Sequence, residues 1–124
     1  MSLKNSQIER DIEMRIIMPS KIVFADDNLE KGFLSLNDDD ELKKYLQRAF
    51  DDIKNNAFCG IQIPKKLIPR EYLKKYGIKN LWKYDLPIGW RLVYSITTPT
   101  KVEIVSIILE WFTSHKEYER RFKY

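Results

Sequence analysis

The spacing of apolar residues divides the chain into segments of two kinds. "KIVFAD", residues 21 to 26, is short and β-branched and predicts a strand. After it, Leu29, Phe33 and Leu36 step by three and four, which predicts a helix from about Asn28 to Leu36. A second and longer helical stripe runs through Leu42, Tyr45, Leu46, Ala49, Phe50 and Ile53. Asp38 followed three residues later by Glu41 predicts its N-cap and a capping box, and Asp39 and Asp40 suit the positive end of the helix dipole.

From Ala57 to Lys79 the periodicity breaks at Gly60, Pro64, Pro69 and Gly77, although "REYLKKYG", residues 70 to 77, predicts one or two helical turns closed by Gly77. Three strand-like runs follow, Asn80 to Leu86, Trp90 to Thr97 and Val102 to Leu109, with hairpin-sized connectors at Pro87 to Gly89 and Thr98 to Lys101. The order predicts an α+β fold: a four-stranded, mainly antiparallel sheet with a helical pair packed on one face, in the sequence β-α-α-β-β-β with a short C-terminal helix or tail. Residues 1 to 18, charged and without a sustained apolar face, read as a flexible or briefly helical leader to a domain spanning 19 to 124.

A chain of 124 residues, 44% of them apolar, can bury one core and not two. No apolar run nears the length of a membrane span, and Glu9, Asp11 and Glu13 interrupt the N-terminal stretch where a signal peptide would need an apolar segment; a cytoplasmic protein without membrane contact is expected. Cys59 is the only cysteine and His115 the only histidine, so no Cys- or His-based metal site and no cofactor are expected. Cys59, between Phe58 and Gly60, reads as a small buried hydrophobe.

The net charge of +4 is unevenly spread: residues 1 to 57 hold nine Lys or Arg against twelve Asp or Glu, and residues 58 to 124 hold thirteen against six. A basic half of this kind suits a polyanion such as nucleic acid, or is simply a solvated lysine surface. Within it, Arg91 alternates away from Trp90, Leu92, Tyr94 and Ile96 and is expected on the sheet face the helices leave open.

"GWRLVYSI", residues 89 to 96, resembles the segment that carries an essential arginine in RelE-type toxins of bacterial and archaeal toxin–antitoxin systems. The likeness extends through "NLWKYDLPIGWRLVYSI", "KVEIVSIILEW" and the terminal "SHKEYERRFKY", and the order of elements agrees over residues 20 to 124. The resemblance to the RelE/ParE superfamily implies a type II toxin, either a ribosome-dependent, metal-independent mRNA endonuclease that blocks translation, or a ParE-like gyrase inhibitor or catalytically degenerate binding protein. It implies a cognate antitoxin as partner, mRNA and the ribosome as targets, and a toxin dimer or a heterotetramer with the antitoxin.

By the same resemblance, Arg91 is the arginine that contacts the scissile phosphate and Lys83 lines its cleft. Tyr118 stands where RelE-type toxins place a tyrosine near the C-terminus, and His115 and Lys116 stand in the segment where relatives supply a histidine. Two departures bear on catalysis: Asp85 replaces a second basic residue, and Trp111-Phe112 stand after the last strand where relatives have a basic pair.

The chemistry fits these residue types. Metal-free RNA cleavage needs a proton acceptor, a proton donor and fixed positive charge for the phosphorane oxygens. Arg91 offers a planar fork and Lys83 a point charge, His115 titrates near neutrality, and Tyr118 is the weaker acid–base candidate. Lys79, Lys116, Arg120, Arg121 and Tyr124 are candidate RNA-binding residues, the terminal cations and aromatics alternating as in a stacking surface for single strands. Plainer roles compete. Arg91 can pair with Asp85 or Glu103 across the sheet, His115 can be a solvated residue at a helix start, Tyr118 and Phe122 can be a packing stripe, and Arg120-Arg121 can answer a helix dipole. If an antitoxin binds, an apolar strip flanked by lysines is expected beside the first helix, near Leu29 and Phe33.

Overall fold

The computed structural model describes residues 17 to 113. Five strands form one mixed sheet: β1 (Lys21–Phe24), β2 (Ile61–Ile63), β3 (Leu81–Asp85), β4 (Arg91–Thr97) and β5 (Val105–Phe112). Their order is β1-β5-β4-β3-β2, with β1 parallel to β5 and every other pair antiparallel. The helices are α1 (Asp27–Leu34), α2 (Glu41–Asn55) and α3 (Arg70–Tyr76).

The α+β class expected from the sequence is present, but the sheet has five strands where four were expected. The extra one is β2, three residues between Gly60 and Pro64, too short to show a period and added at the edge of β3. Pro64 ends it, as proline can only at an edge or terminus.

α2 is the helix that its stripe predicts, with Leu46, Ala49 and Ile53 fully buried. Its N-cap is Asp40 rather than Asp38: Asp40 is extended (φ −70°, ψ 125°) and accepts from Leu42 N. Asp38 instead pairs with Lys43 at 2.9 Å, so the expected capping box does not form. α1 is capped by Asp26, which accepts from Leu29 N. It has no fully buried residue and rests on the sheet through Phe33, whose ring meets Phe24 and Phe50 edge-on or tilted. Leu29 and Phe33 are half-buried, Lys43 Nζ lies over the Phe33 ring, and Leu34, 63% exposed, is the large apolar residue that α1 shows to solvent.

Leu92 and Tyr94 face α2 together with Ile108 and Leu86. Val93 and Leu109 face the other way and bury against Ile63, Ile68, Tyr72 and Phe112, partly under α3. The sheet therefore has a core on each face, and the open face expected from the sequence is partly roofed. Gly77 closes α3 in the left-handed region (φ 61°), as its sequence suggests.

β5 runs through Trp111 to Phe112 rather than ending at Leu109. A bulge between Val93 and Tyr94 shifts the register from Val93↔Glu110 to Tyr94↔Ile108, and this offset interrupts the period-two pattern of "SIILEW". Cys59, expected to be buried, is exposed at the end of the 3₁₀ turn Ala57–Cys59. The chain is tied to the core from Met18, whose N–H donates to Asn56 Oδ1 and whose carbonyl accepts from Ala57 N.

Candidate functional site

The β3–β4 hairpin positions the residues singled out from the sequence. Its turn is Ile88-Gly89: both have positive φ (57° and 75°), and Trp90 N donates to Pro87 O at 3.3 Å across them. Two successive positive-φ residues are what a type I′ hairpin turn requires, here with a β-branched residue where asparagine is favoured; because Leu86 N also donates to Trp90 O, three residues, Pro87 to Gly89, connect the ladder. At the far end of the strands, Asn80 prolongs the ladder with its side chain. Its Nδ2 donates to Ile96 O and its Oδ1 accepts from Ile96 N, both at 2.8 Å.

Register then fixes which side chains share a face. Lys83 pairs with Val93 and Asp85 with Arg91 on one side; Glu110 pairs with Val93 and Phe112 with Arg91 on the other. Two rows cross the sheet, Lys83–Val93–Glu110 and Asp85–Arg91–Phe112, on the face turned away from α2. Lys83 and Arg91 are thus diagonal neighbours across adjacent strands, close enough for two long side chains to reach one ligand.

Arg91, the cation at the turn end of this face, has a carboxylate beside it. Arg91 Nε lies 3.2 Å from Asp85 Oδ1, with the arginine side chain 23% and the aspartate 52% exposed. Glu110, not singled out from the sequence, accepts from the Tyr72 hydroxyl at 2.5 Å and so faces α3. With two cations and two carboxylates on its two rows, the patch is locally balanced, although its half of the sequence is basic. Asp85 was visible in the sequence as a departure. Glu110 was not, because the bulge hides which way it points.

On the opposite face, the Tyr94 hydroxyl donates to Ala57 O at 2.7 Å and accepts from Gly60 N at 3.1 Å, tying the 3₁₀ turn to β4. A Cβ on Gly60 would lie 2.5 Å from Lys83 O and 2.7 Å from Tyr94 Oη, so glycine is required by the close approach of backbone to β3. The Tyr84 hydroxyl donates to Asp52 on α2. Burial, and for Tyr84 also the Asp52 carboxylate, push both phenols above the ordinary tyrosine range.

Two clefts flank the hairpin face. One of about 490 Å³ lies between α1, α3 and β5 and includes Glu71, Tyr72, Lys75 and Glu110. The other, about 750 Å³, includes Lys79, Asn80, Trp82 and Thr97. Lys79 belongs to the Thr97 end of the hairpin and Arg91 to its turn end. The length of β4, at roughly 3.4 Å per residue, separates them by about 20 Å, so the structure does not bring Lys79 to Arg91.

His115, Lys116, Tyr118, Arg120, Arg121 and Tyr124 lie outside the described residues. They follow in sequence directly after β5, whose last residue, Phe112, is the register partner of Arg91. Among the described residues, no helix is long and apolar enough to cross a membrane. No protein-family model, curated protein or solved structure matches the chain.

Proposed function

We propose that the chain is a RelE-like toxin of a type II toxin–antitoxin system, a metal-independent endonuclease that cleaves mRNA on the ribosome. The observation that carries this reading is the position of Arg91. It opens the central strand β4, shares a face with Lys83, and is paired in register with the end of the strand from which "SHKEYERRFKY" follows. The element order, a strand, a helical pair and then a three-stranded meander, agrees with what the sequence resemblance implies; β2 and α3 are additions to it.

In this mechanism the 2′-hydroxyl attacks the adjacent phosphorus and the 5′-oxygen leaves. Arg91 holds the non-bridging oxygens through its planar fork, and Lys83 adds a point charge to the same phosphate. His115 and Tyr118 exchange protons with the attacking and leaving oxygens. A cognate antitoxin, bound to a toxin dimer or in a heterotetramer with the toxin, would hold it inactive.

One observation favours a second reading. The Asp85 carboxylate already lies against Arg91, and an RNA phosphate must displace or share it. A binding protein of the ParE-like, gyrase-directed kind, or a catalytically degenerate member, needs no such exchange. Expression in a translation extract, with mRNA ends mapped, separates the two. The endonuclease reading expects new 3′ ends that vanish with Arg91→Ala; no cleavage by the parent chain, together with inhibition of gyrase, supports the binder.

A further inference from the structure

The sheet separates two layers of opposite charge. Residues 26 to 55, which carry α1 and α2 on one face, contain nine Asp or Glu and five Lys or Arg. Residues 61 to 80, which carry α3 toward the other face, contain six Lys or Arg and a single acid, Glu71. In the acidic layer two lysines are neutralised locally, Lys43 by Asp38 and Lys44 by Glu41. In the basic layer Lys65, Lys66, Arg70, Lys74, Lys75 and Lys79 are all exposed, and among the described residues none is in an ion pair.

The fold alone does not account for that grouping. Ile68 and Tyr72 supply the layer's contact with the sheet, where they meet Ile63, Val93 and Leu109, and any polar residue would serve at the outward positions. Lys74 and Lys75 suit the C-terminal end of α3, but Arg70 stands in its first turn, where the helix dipole disfavours a cation. Arg70 and Lys74 are also four apart, and like charges at that spacing cost helix stability.

We infer that the exposed cations of residues 65 to 75 form a second RNA-binding surface, one that holds the phosphate backbone beside the face of Arg91 and Lys83. RNA as the ligand rests on the toxin reading, and the composition of the surface supports it. An acidic polypeptide would need apolar anchors as well as charge, and the exposed large hydrophobics of this layer are Ile61, on the edge strand, and Leu73, only 40% exposed. A phosphate backbone needs charge alone. The acidic α1–α2 layer repels the same ligand, so RNA approaches from the α3 side.

The test measures binding without cleavage. A fluorescent 2′-O-methyl RNA of about 15 nucleotides, which lacks the attacking hydroxyl, is titrated with the full chain by anisotropy between about 50 and 200 mM KCl. The combined variant Lys65→Gln, Lys66→Gln, Arg70→Gln, Lys74→Gln is expected to bind at least about tenfold more weakly. Its slope of log affinity against log salt should flatten by about 0.7 for each phosphate that the variant no longer neutralises. Lys43→Gln with Lys44→Gln, on the acidic layer, is expected to bind no more weakly than the parent. Unchanged affinity and slope in the fourfold variant, with its melting temperature unaltered, would overturn the proposal. So would polyglutamate binding the parent as tightly as the RNA with the same dependence on the four residues, which would assign the surface to an acidic protein. Because the RNA cannot be cleaved, absence of Arg91-dependent mRNA cleavage removes the toxin reading without touching this result, and normal binding by the fourfold variant removes this surface without touching cleavage.

Discussion

Tyr94→Phe removes one oxygen and breaks two hydrogen bonds that join β4 to the turn before β2. The hydroxyl donates to Ala57 O and accepts from Gly60 N, in a side chain with no solvent exposure. Ala57 is also fully buried, so its carbonyl cannot turn to water, whereas Gly60 is half-buried and recovers part of its loss. At about 1 to 3 kcal/mol for a buried group left unpaired, the two together should cost about 2 to 3 kcal/mol. In urea, with a slope of roughly 1 to 3 kcal/mol per molar, that lowers the unfolding midpoint by about 1 to 2 M. Gly60→Ala tests the same junction sterically. Its φ of −81° suits any residue, so its cost comes from the approach of the new Cβ to Lys83 O at 2.5 Å and Tyr94 Oη at 2.7 Å, with the Tyr94 ring edge next at 3.1 Å. Since Tyr94→Phe removes the second of these, the double variant should be more stable than the sum of the single losses by about 0.5 to 2 kcal/mol. A midpoint for Tyr94→Phe within about 0.3 M of the parent, or strict additivity in the cycle, would refute the junction as described.

Ile88→Asn should raise the melting temperature, because Ile88 is 82% exposed with φ 57° and ψ 39°, and releasing a β-branched residue from that region is worth about 1 kcal/mol. Asp85→Asn should change stability by less than about 1 kcal/mol, since its carboxylate is half exposed, yet tighten RNA binding by removing the negative charge beside Arg91; weaker binding by this variant would contradict the assigned role of Arg91. Tyr84 and Tyr94 ionise above their ordinary value of 10.0 in the folded chain. Their contribution to stability is therefore complete below about pH 10 and is lost as the pH rises past it, because the unfolded chain ionises first. Absorbance at 295 nm should show two tyrosines titrating only with alkaline unfolding, and their titration in the native state near pH 10 would contradict this.

What the sequence disclosed follows from which interactions are local. The stripe from Leu42 to Ile53 is a property of one helix and could be read directly, as could Gly77 and the alternation around Arg91. The cap of α2 could not: three successive aspartates, Asp38 to Asp40, are equivalent as letters, and only the backbone angle of Asp40 and the reach of Lys43 to Asp38 tell them apart. β2 exists because β3 offers it a pairing edge, which three residues cannot announce. The roof over Val93 depends on Ile68 and Tyr72 folding back across the sheet, and the position of Glu110 depends on a bulge one strand away. Arg91 itself was predicted on the correct face, with Asp85 as one of two named ion-pair partners. Which competitor stood beside it was set by register, and register is a tertiary fact.

The place of β5 in the sheet has a consequence for how the molecule assembles. The hairpin of β3 and β4 joins residues near in sequence, but β1 has no strand to pair with until β5 forms, since β5 stands between β1 and β4. Lys21 must therefore wait for Val105, and closing so long a loop is slow compared with zipping a hairpin. The first strand made is the last to find its neighbour. Until then Phe24 has no β-ladder to hold it, and the aromatic contacts it makes with Phe33 of α1 and Phe50 of α2 lack the support of the sheet. Folding should accordingly run from the β3–β4 hairpin outward, with β5 as the strand that admits the amino-terminal third of the described chain.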